Sequence, residues 1–255
     1  MYFEGIIIPL NLSEVIIVKT VLITGGSRGI GKAMVELFSE RGYSVAFTYK
    51  NSEALAKALS EKTGALAITA DSSVEDDVLD AVKIAQKKLG TIEILINNAA
   101  VSSFSLLTDL ALDDWKAMFS VNVDGAFLYT KAVLPDMIKN HCGRIINVSS
   151  MWGVVGSSCE VCYSATKAAI IGMTKALAKE VGPSGITVNC IAPGMIDTDM
   201  NASLAPEDIK VIADETPLMR VGRPREVAEA AFFLAGDGAA FITGAVLGVN
   251  GGLVV

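Results

Sequence analysis

Short β-branched runs alternate with longer helical periods along most of the chain. The runs are TVLIT from residue 20, YSVAFTY from 43, ALAITA from 65, IEILINN from 92, GRIINVSS from 143, GITVNCIAP from 185 and AVLGVNG from 245. Most are continuous apolar strings, which suits strands covered on both faces. Helical periods fill residues 31–42, 52–64, 73–90 and 163–182. Ser72 and Glu75 have capping-box spacing before the third of these, and Gly182-Pro183 closes the last. Repeated β-α-β units of this kind predict an α/β fold: a Rossmann-type doubly wound, seven-stranded parallel sheet with about six helices.

One stretch breaks the alternation. Residues 194–224 carry no strand pattern and mix Met, Thr, Asp, Pro and Arg, with two or three short helices expected, one around Pro206 to Asp214. A connection this long inside a compact domain is usually functional, so a substrate lid is expected there. No linker or repeat divides the chain, and residues 19–255 read as one domain. Residues 1–18 read as an extension to which no role is assigned.

Composition narrows the function classes. The 255 residues are 51% hydrophobic and 19% charged, enough apolar material for a large core. The net charge of -7 repels polyanions, so nucleic-acid binding is not expected. No apolar run reaches the roughly 18 residues of a membrane span. Cys142, Cys159, Cys162 and Cys190 are too few for a disulfide scaffold and point to a reducing cytoplasm.

The first run leads directly into Thr24-Gly25-Gly26-Ser27-Arg28-Gly29-Ile30-Gly31, and a helical pattern follows at once. Glycines at 25, 29 and 31 allow a tight turn and close approach to a pyrophosphate, which the helix N-terminus then attracts. A strand–turn–helix context is what such a motif needs before it can be read as dinucleotide binding. At the end of the second strand stand Tyr49, Lys50 and Asn51, with no carboxylate until Glu53. NAD sites usually place an acid here for the ribose 2′-hydroxyl. Lys50, with Arg28 in the glycine turn, instead suits a 2′-phosphate, so NADPH/NADP+ is the expected cofactor.

The G-x-x-x-G-x-G spacing resembles the signature of the short-chain dehydrogenase/reductase family. Asn97-Asn98-Ala99-Ala100 is similar to that family's N-N-A-G, with Ala100 in place of glycine. Tyr163-Ser-Ala-Thr-Lys167 resembles its Y-x-x-x-K, Ser150 lies thirteen residues upstream, and Pro193-Gly194 ends the sixth strand as its P-G does. The resemblance runs from about Lys19 to Gly252. It implies that Tyr163 exchanges the proton, that Lys167 lowers the phenol's pKa, that Ser150 polarises the carbonyl and that Asn122 holds a relay water. It also implies that the cofactor is lined by Gly25, Ser27, Arg28, Gly29, Ile30, Gly31, Tyr49, Lys50, Asn51, Asp71, Ser72, Asn98, Ala99, Ala100, Tyr163, Lys167, Pro193, Gly194, Ile196 and Thr198.

Within the family, the runs from Thr216 and from Ile242 are most similar to the branch that reduces β-ketoacyl thioesters of acyl carrier protein. Dehydrogenases of sugars, steroids and other alcohols share these segments. A dinucleotide-binding sensor without catalysis is the rival class, and the intact Ser150, Tyr163 and Lys167 argue against it. An acidic carrier would need a basic rim, for which Lys139, Lys175, Lys179, Arg220 and Arg223 are candidates. Cys159 and Cys162 have C-x-x-C spacing but open no thioredoxin-like helix on this reading, and the single histidine, His141, completes no metal set. Met151, Trp152 and Met195 read as apolar walls. A homotetramer is expected from the apolar faces of the helix at 163–181, where Ala168, Ala169, Ile170, Met173 and Ala176 spread around the cylinder.

Overall fold

A computed structural model describes residues 19–201 and 205–254; the extension at residues 1–18 lies outside them. Seven parallel strands form one sheet in the order β3-β2-β1-β4-β5-β6-β7. They are β1 (Thr20–Ile23), β2 (Ser44–Tyr49), β3 (Leu66–Thr69), β4 (Ile94–Asn97), β5 (Gly143–Val148), β6 (Ile186–Pro193) and β7 (Val246–Val249). The helices are α1 (Gly29–Glu40), α2 (Glu53–Thr63), α3 (Glu75–Leu89), α4 (Leu112–Phe119), α5 (Gly125–Lys139), α6 (Met151–Val155), α7 (Val161–Val181), α8 (Pro206–Glu215) and α9 (Pro224–Ala235). Nine α-helices among the described residues exceed the six expected, because α4, α6 and α8 are short additions to the crossovers.

The continuous apolar strings hide a period of two. Val21, Ile23, Val45 and Phe47 face the layer of α1, α2 and α9, with Phe38, Leu59 and Val227. Leu22 and Ala46 face the opposite layer of α3, α5 and α7, with Val82, Tyr129 and Val181. Both faces are dry, so every strand position is apolar whichever way it points. The chain runs outward from β1 to β3 and then returns to build β4 on the other side of β1. That reversal leaves a crevice beyond the carboxyl ends of β1 and β4, where doubly wound sheets place their ligands.

Two terminus signals act differently from the sequence expectation. Ser72 is not a cap: the helix starts after Val74, and Asp71 instead accepts from the backbone N–H and hydroxyl of Ser73 at 3.0 and 2.7 Å. Asp77 in turn accepts from the Asp71 N–H at 2.9 Å. At the end of α7, Gly182 keeps a right-handed backbone and the chain continues into a 3-10 turn. The left-handed stop is Gly185, where a Cβ would stand 2.7 Å from the His141 carbonyl oxygen.

Between α4 and α5 the helix relaxes into a π-helical turn, Ser120–Asp124, which contains the buried Asn122. Such turns widen the ladder locally and concentrate at functional sites. The stretch at 194–224 has the expected helix, α8, none of whose residues is buried. It is gathered at its base by a bridge between Ile196 and Gly222.

Candidate active site

The crevice is shaped first by the glycine turn. Gly25 has φ +65°, and a Cβ there would stand 2.9 Å from the Ala99 Cα. At Gly31 a Cβ would strike the Gly25 carbonyl oxygen. The backbone of β1 thus bends against the end of β4 with no space for side chains. Thr24 locks the contact: its hydroxyl accepts from the Asn98 and Ala99 N–H groups, both at 2.9 Å. The Asn98 amide donates to the Thr24 and Gly25 carbonyls at 2.9 and 3.1 Å, so it braces the turn and is not left to a ligand.

Helix α1 begins there with no side-chain cap. Its first-turn N–H groups lie under the glycine turn, and Arg28 is exposed at the N-cap position. An uncapped helix N-terminus behind a cradle without Cβ atoms fits a pyrophosphate. Thr198 closes over it, with its Cγ2 3.4 Å from where a Gly29 Cβ would be. Gly194 packs equally close at the β6 end, where a Cβ would meet the Asn250 Cα at 2.8 Å.

Several expected cofactor-lining residues have partners within the protein. Lys50 is not a free cation: its Nζ lies 2.5 Å from Asp71 Oδ2. Burial pushes the Asp71 carboxyl up, but Lys50 and Ser73 outweigh it and hold the group below its usual range. The Ile196 side chain is buried in the core and packs against Gly222, so only its backbone can face the crevice. Tyr49 leans on the same core. Ser72 is buried with its backbone and Cβ against Gly125. Ser27 is buried in the turn, whereas Ile30, Ala99, Ala100 and Asn51 keep some exposure along the crevice.

The groups expected to react lie between β5 and α6 and on α7. Ser150 caps α6, and its Oγ accepts from the Trp152 N–H at 3.1 Å. Tyr163 and Lys167 lie one turn apart on α7, and the ammonium sits 5.6 Å from the phenol ring centre. The Lys167 Nζ donates to the Val148 carbonyl at 2.8 Å, while Ser149 donates to the Lys167 carbonyl at 2.7 Å. Sequence reasoning missed Thr24 and Ser149. Both adjoin recognised motif residues, and that adjacency was the available signal.

Burial dominates the electrostatics here. It pushes the Tyr163 phenol up to about 12, although the neighbouring Ser150 hydroxyl pulls the other way. Burial also pulls the Lys167 ammonium down to about 8. Desolvation thus opposes the charged form of both groups, and one of the ammonium's donors is committed to Val148.

Asn122 is buried in the π-turn with its side chain engaged inside the protein. Its amide donates to the Val101 carbonyl and the Thr166 hydroxyl at 2.9 and 3.1 Å, and its Oδ1 accepts from the Val101 N–H at 2.8 Å. The side chain pins the β4–α4 loop to α7. Cys159 lies before the Glu160 N-cap of α7 with a left-handed backbone, and Cys162 lies in the first turn. Cys162 is packed with Met118 and Tyr163. Arg220 is held at both ends of the Glu226 carboxylate, at 2.8 and 2.5 Å, and is not part of an open basic rim.

A doubly wound sheet with this cradle and this Ser–Tyr–Lys set defines a dinucleotide-dependent oxidoreductase. The family model described as Enoyl-(Acyl carrier protein) reductase matches residues 25–254, and the chain belongs to that short-chain dehydrogenase/reductase family. The chain is 43% identical to the 3-oxoacyl-[acyl-carrier-protein] reductase FabG of Chlamydia trachomatis over 95% of this chain and 100% of that protein. It is 41% identical to the uncharacterized oxidoreductase YmfI of Bacillus subtilis, over 92% of this chain and 98% of that one. Among solved structures, a blue fluorescent protein from a metagenomic library in complex with NADPH superposes with TM-score 0.87 at 36% identity, covering 93% and 98% of the two chains.

The buried ammonium has a measurable consequence for stability. Folded Lys167 loses its proton near 8, whereas the unfolded side chain holds it to its ordinary 10.5. Between those values the unfolded chain binds more protons, so this group makes stability rise with pH. Lys167→Met removes that slope. The gap in urea midpoint between wild type and variant should move in favour of wild type between pH ~7.5 and ~10. A gap that does not change with pH would return the ammonium to its ordinary value.

Proposed function

We propose that the protein reduces the ketone of a β-ketoacyl thioester, carried by acyl carrier protein, to the 3-hydroxyacyl form in fatty-acid elongation, with NADPH as reductant. The observation that carries the reading is the convergence of Ser150, Tyr163 and Lys167 beside a pyrophosphate cradle, together with relatives named as 3-oxoacyl-[acyl-carrier-protein] reductases at about 40% identity over nearly the whole chain. When bound, the reduced dinucleotide supplies a hydride to the carbonyl carbon. The chain's own groups manage the oxygen. Ser150 Oγ already accepts from Trp152, so its proton is left to donate to the carbonyl and stabilise the developing alkoxide. Tyr163, protonated and desolvated, delivers the proton. Lys167 stands behind it as the replacement charge, and Asn122 keeps the π-turn and the loop at Val101 in place for a relay water. The segment at 194–224 acts as the lid.

Cofactor choice rests on Arg28. With Lys50 engaged by Asp71, Arg28 is the cation at the crevice that makes no salt bridge among the described residues. A cytoplasmic setting suits the four unpaired cysteines, and no described helix is long and apolar enough to cross a membrane. Assembly as a homotetramer is supported by large apolar side chains left exposed on several helices, Leu112 on α4, Phe127 on α5 and Phe233 on α9, and by the exposed Phe241. Homo-oligomers close most often through two-fold contacts, and two such sets give dihedral symmetry.

Three outcomes test this reading. Tyr163→Phe should lower kcat on a β-ketoacyl thioester by at least ~10²-fold while NADPH affinity holds. Retention of a tenth of the rate would remove Tyr163 from proton transfer. Arg28→Ala should cut the kcat/KM ratio of NADPH over NADH by ~10-fold, about 1.4 kcal/mol, and Lys50→Ala by less. A larger effect at Lys50 would reverse the assignment. Light scattering at micromolar concentration should return four times the chain mass, and a monomer would refute the assembly.

A further inference from the structure

Beside the reacting groups lies a cavity of about 420 Å³, lined by Trp152, Val155, Ile212, Glu215, Leu253 and Val254. Three separate pieces of chain build it: α6, the lid helix α8 and the C-terminal tail. Its position relative to the chemistry follows from one bond. The Trp152 N–H is donated to Ser150 Oγ, so the aromatic wall starts two residues from the group that would hold the carbonyl oxygen.

The tail is a built wall. Asn250 accepts from the Gly252 N–H at 2.9 Å and donates to the Val254 carbonyl at 2.7 Å, which folds the last residues back on themselves. The Gly251 carbonyl accepts from the Leu218 N–H at 3.2 Å, tying the tail to the segment after α8. Five of the six lining residues are apolar, and Val155 is left 58% exposed. The one charged liner is the Glu215 carboxylate, and no cation among the liners offsets it.

We propose that this cavity receives the uncharged, apolar limb of the ketone substrate. Trp152 and the tail gauge the limb's length, and Glu215 turns away limbs that end in an anion. The inference rests on Ser150 and Tyr163 being the reacting centre. It also orients the substrate, with the alkyl end under α8 and the thioester end directed away from the tail. A cavity of this size is at the small end for ligand sites, so it fills within a limited number of methylenes.

The test uses the full chain and a series of β-ketoacyl N-acetylcysteamine thioesters of increasing length. The kcat/KM should rise about fourfold per methylene until the cavity is full and then level off. Trp152→Ala, or removal of residues 253–255, should move that plateau to longer chains. A series that is flat from its shortest member, or a plateau that neither change moves, overturns the gauge. A second readout needs no turnover. With Trp115→Phe, Trp152 is the remaining tryptophan, and saturated acyl thioesters should quench it with the same length dependence. Length-dependent quenching without reduction of any β-ketoacyl thioester would sink the proposed reaction and leave the subsite standing. Reduction with no length dependence in either readout would do the reverse. Glu215→Gln should raise kcat/KM for a carboxylate-ended ketone relative to its uncharged isostere by ~10-fold. An unmoved ratio removes Glu215 from charge selection.

Discussion

The approach of the β1 turn to the end of β4 is the constraint on which the rest of the site depends. Thr24 supplies one hydroxyl that accepts two backbone N–H groups, and Asn98 returns two amide hydrogens to the turn's carbonyls. Buried backbone groups must find partners, and here each strand end satisfies the other. With the turn held, α1 can start only where its free N–H groups face the crevice. The missing Cβ atoms at Gly25 and Gly31 are as necessary as the hydrogen bonds, since either one would push β1 and β4 apart.

A second polar chain ties this floor to the catalytic helix. The Asn97 amide donates to Thr130 on α5 and to Asn147 on β5, and the Asn147 amide donates to Thr174 on α7. These groups are buried, so a partner lost by one leaves another unsatisfied. The arrangement fixes α7 against the sheet at its middle, while Ser149 and Lys167 fix it nearer the site. Tyr163 is carried on the same helix, and its position is therefore set by contacts along most of α7. The dry surroundings that hold the helix are also what raises the phenol and lowers the ammonium. Rigidity and perturbed ionisation have one cause here.

The sheet was legible because burial on both faces leaves unbroken apolar strings, and the glycine turn because sterics admit so few alternatives. What escaped reading depends on partners distant in sequence. Lys50 reads as a phosphate-seeking cation until β3 brings Asp71 beside it. Ile196 reads as a crevice residue until Gly222 returns to receive its side chain. The Ser72–Glu75 spacing is right for a cap, yet Asp71 and Asp77 reach the backbone donors first. No helix bounds were legible between β4 and β5, where Pro135 and the π-turn at 120–124 interrupt the 3.6 period. The rise of the Tyr163 phenol has a different origin. Charge partners can be read from spacing, but desolvation is a property of the packed structure.

Stability is unevenly divided between floor and cover, and the division matches the chemistry. The residues that carry turn, cradle and proton transfer sit on elements with dry cores on both sides. Helix α8 has no buried residue, and its segment is gathered by a narrow neck. There the Asp197 N–H donates to Gly222, the Gly222 N–H donates to Met195, and a Cβ at 222 would stand 2.6 Å from the Ile196 side chain. Elements with few buried contacts open at low free-energy cost, whereas the closely packed neck keeps the path of opening defined. A reductase needs both properties. Groups that stabilise charge and pass a proton must hold their geometry without reorganising, whereas a cover must release a product as large as its substrate. With the weak packing concentrated in α8, the proposed lid would move without loosening the proposed reacting groups.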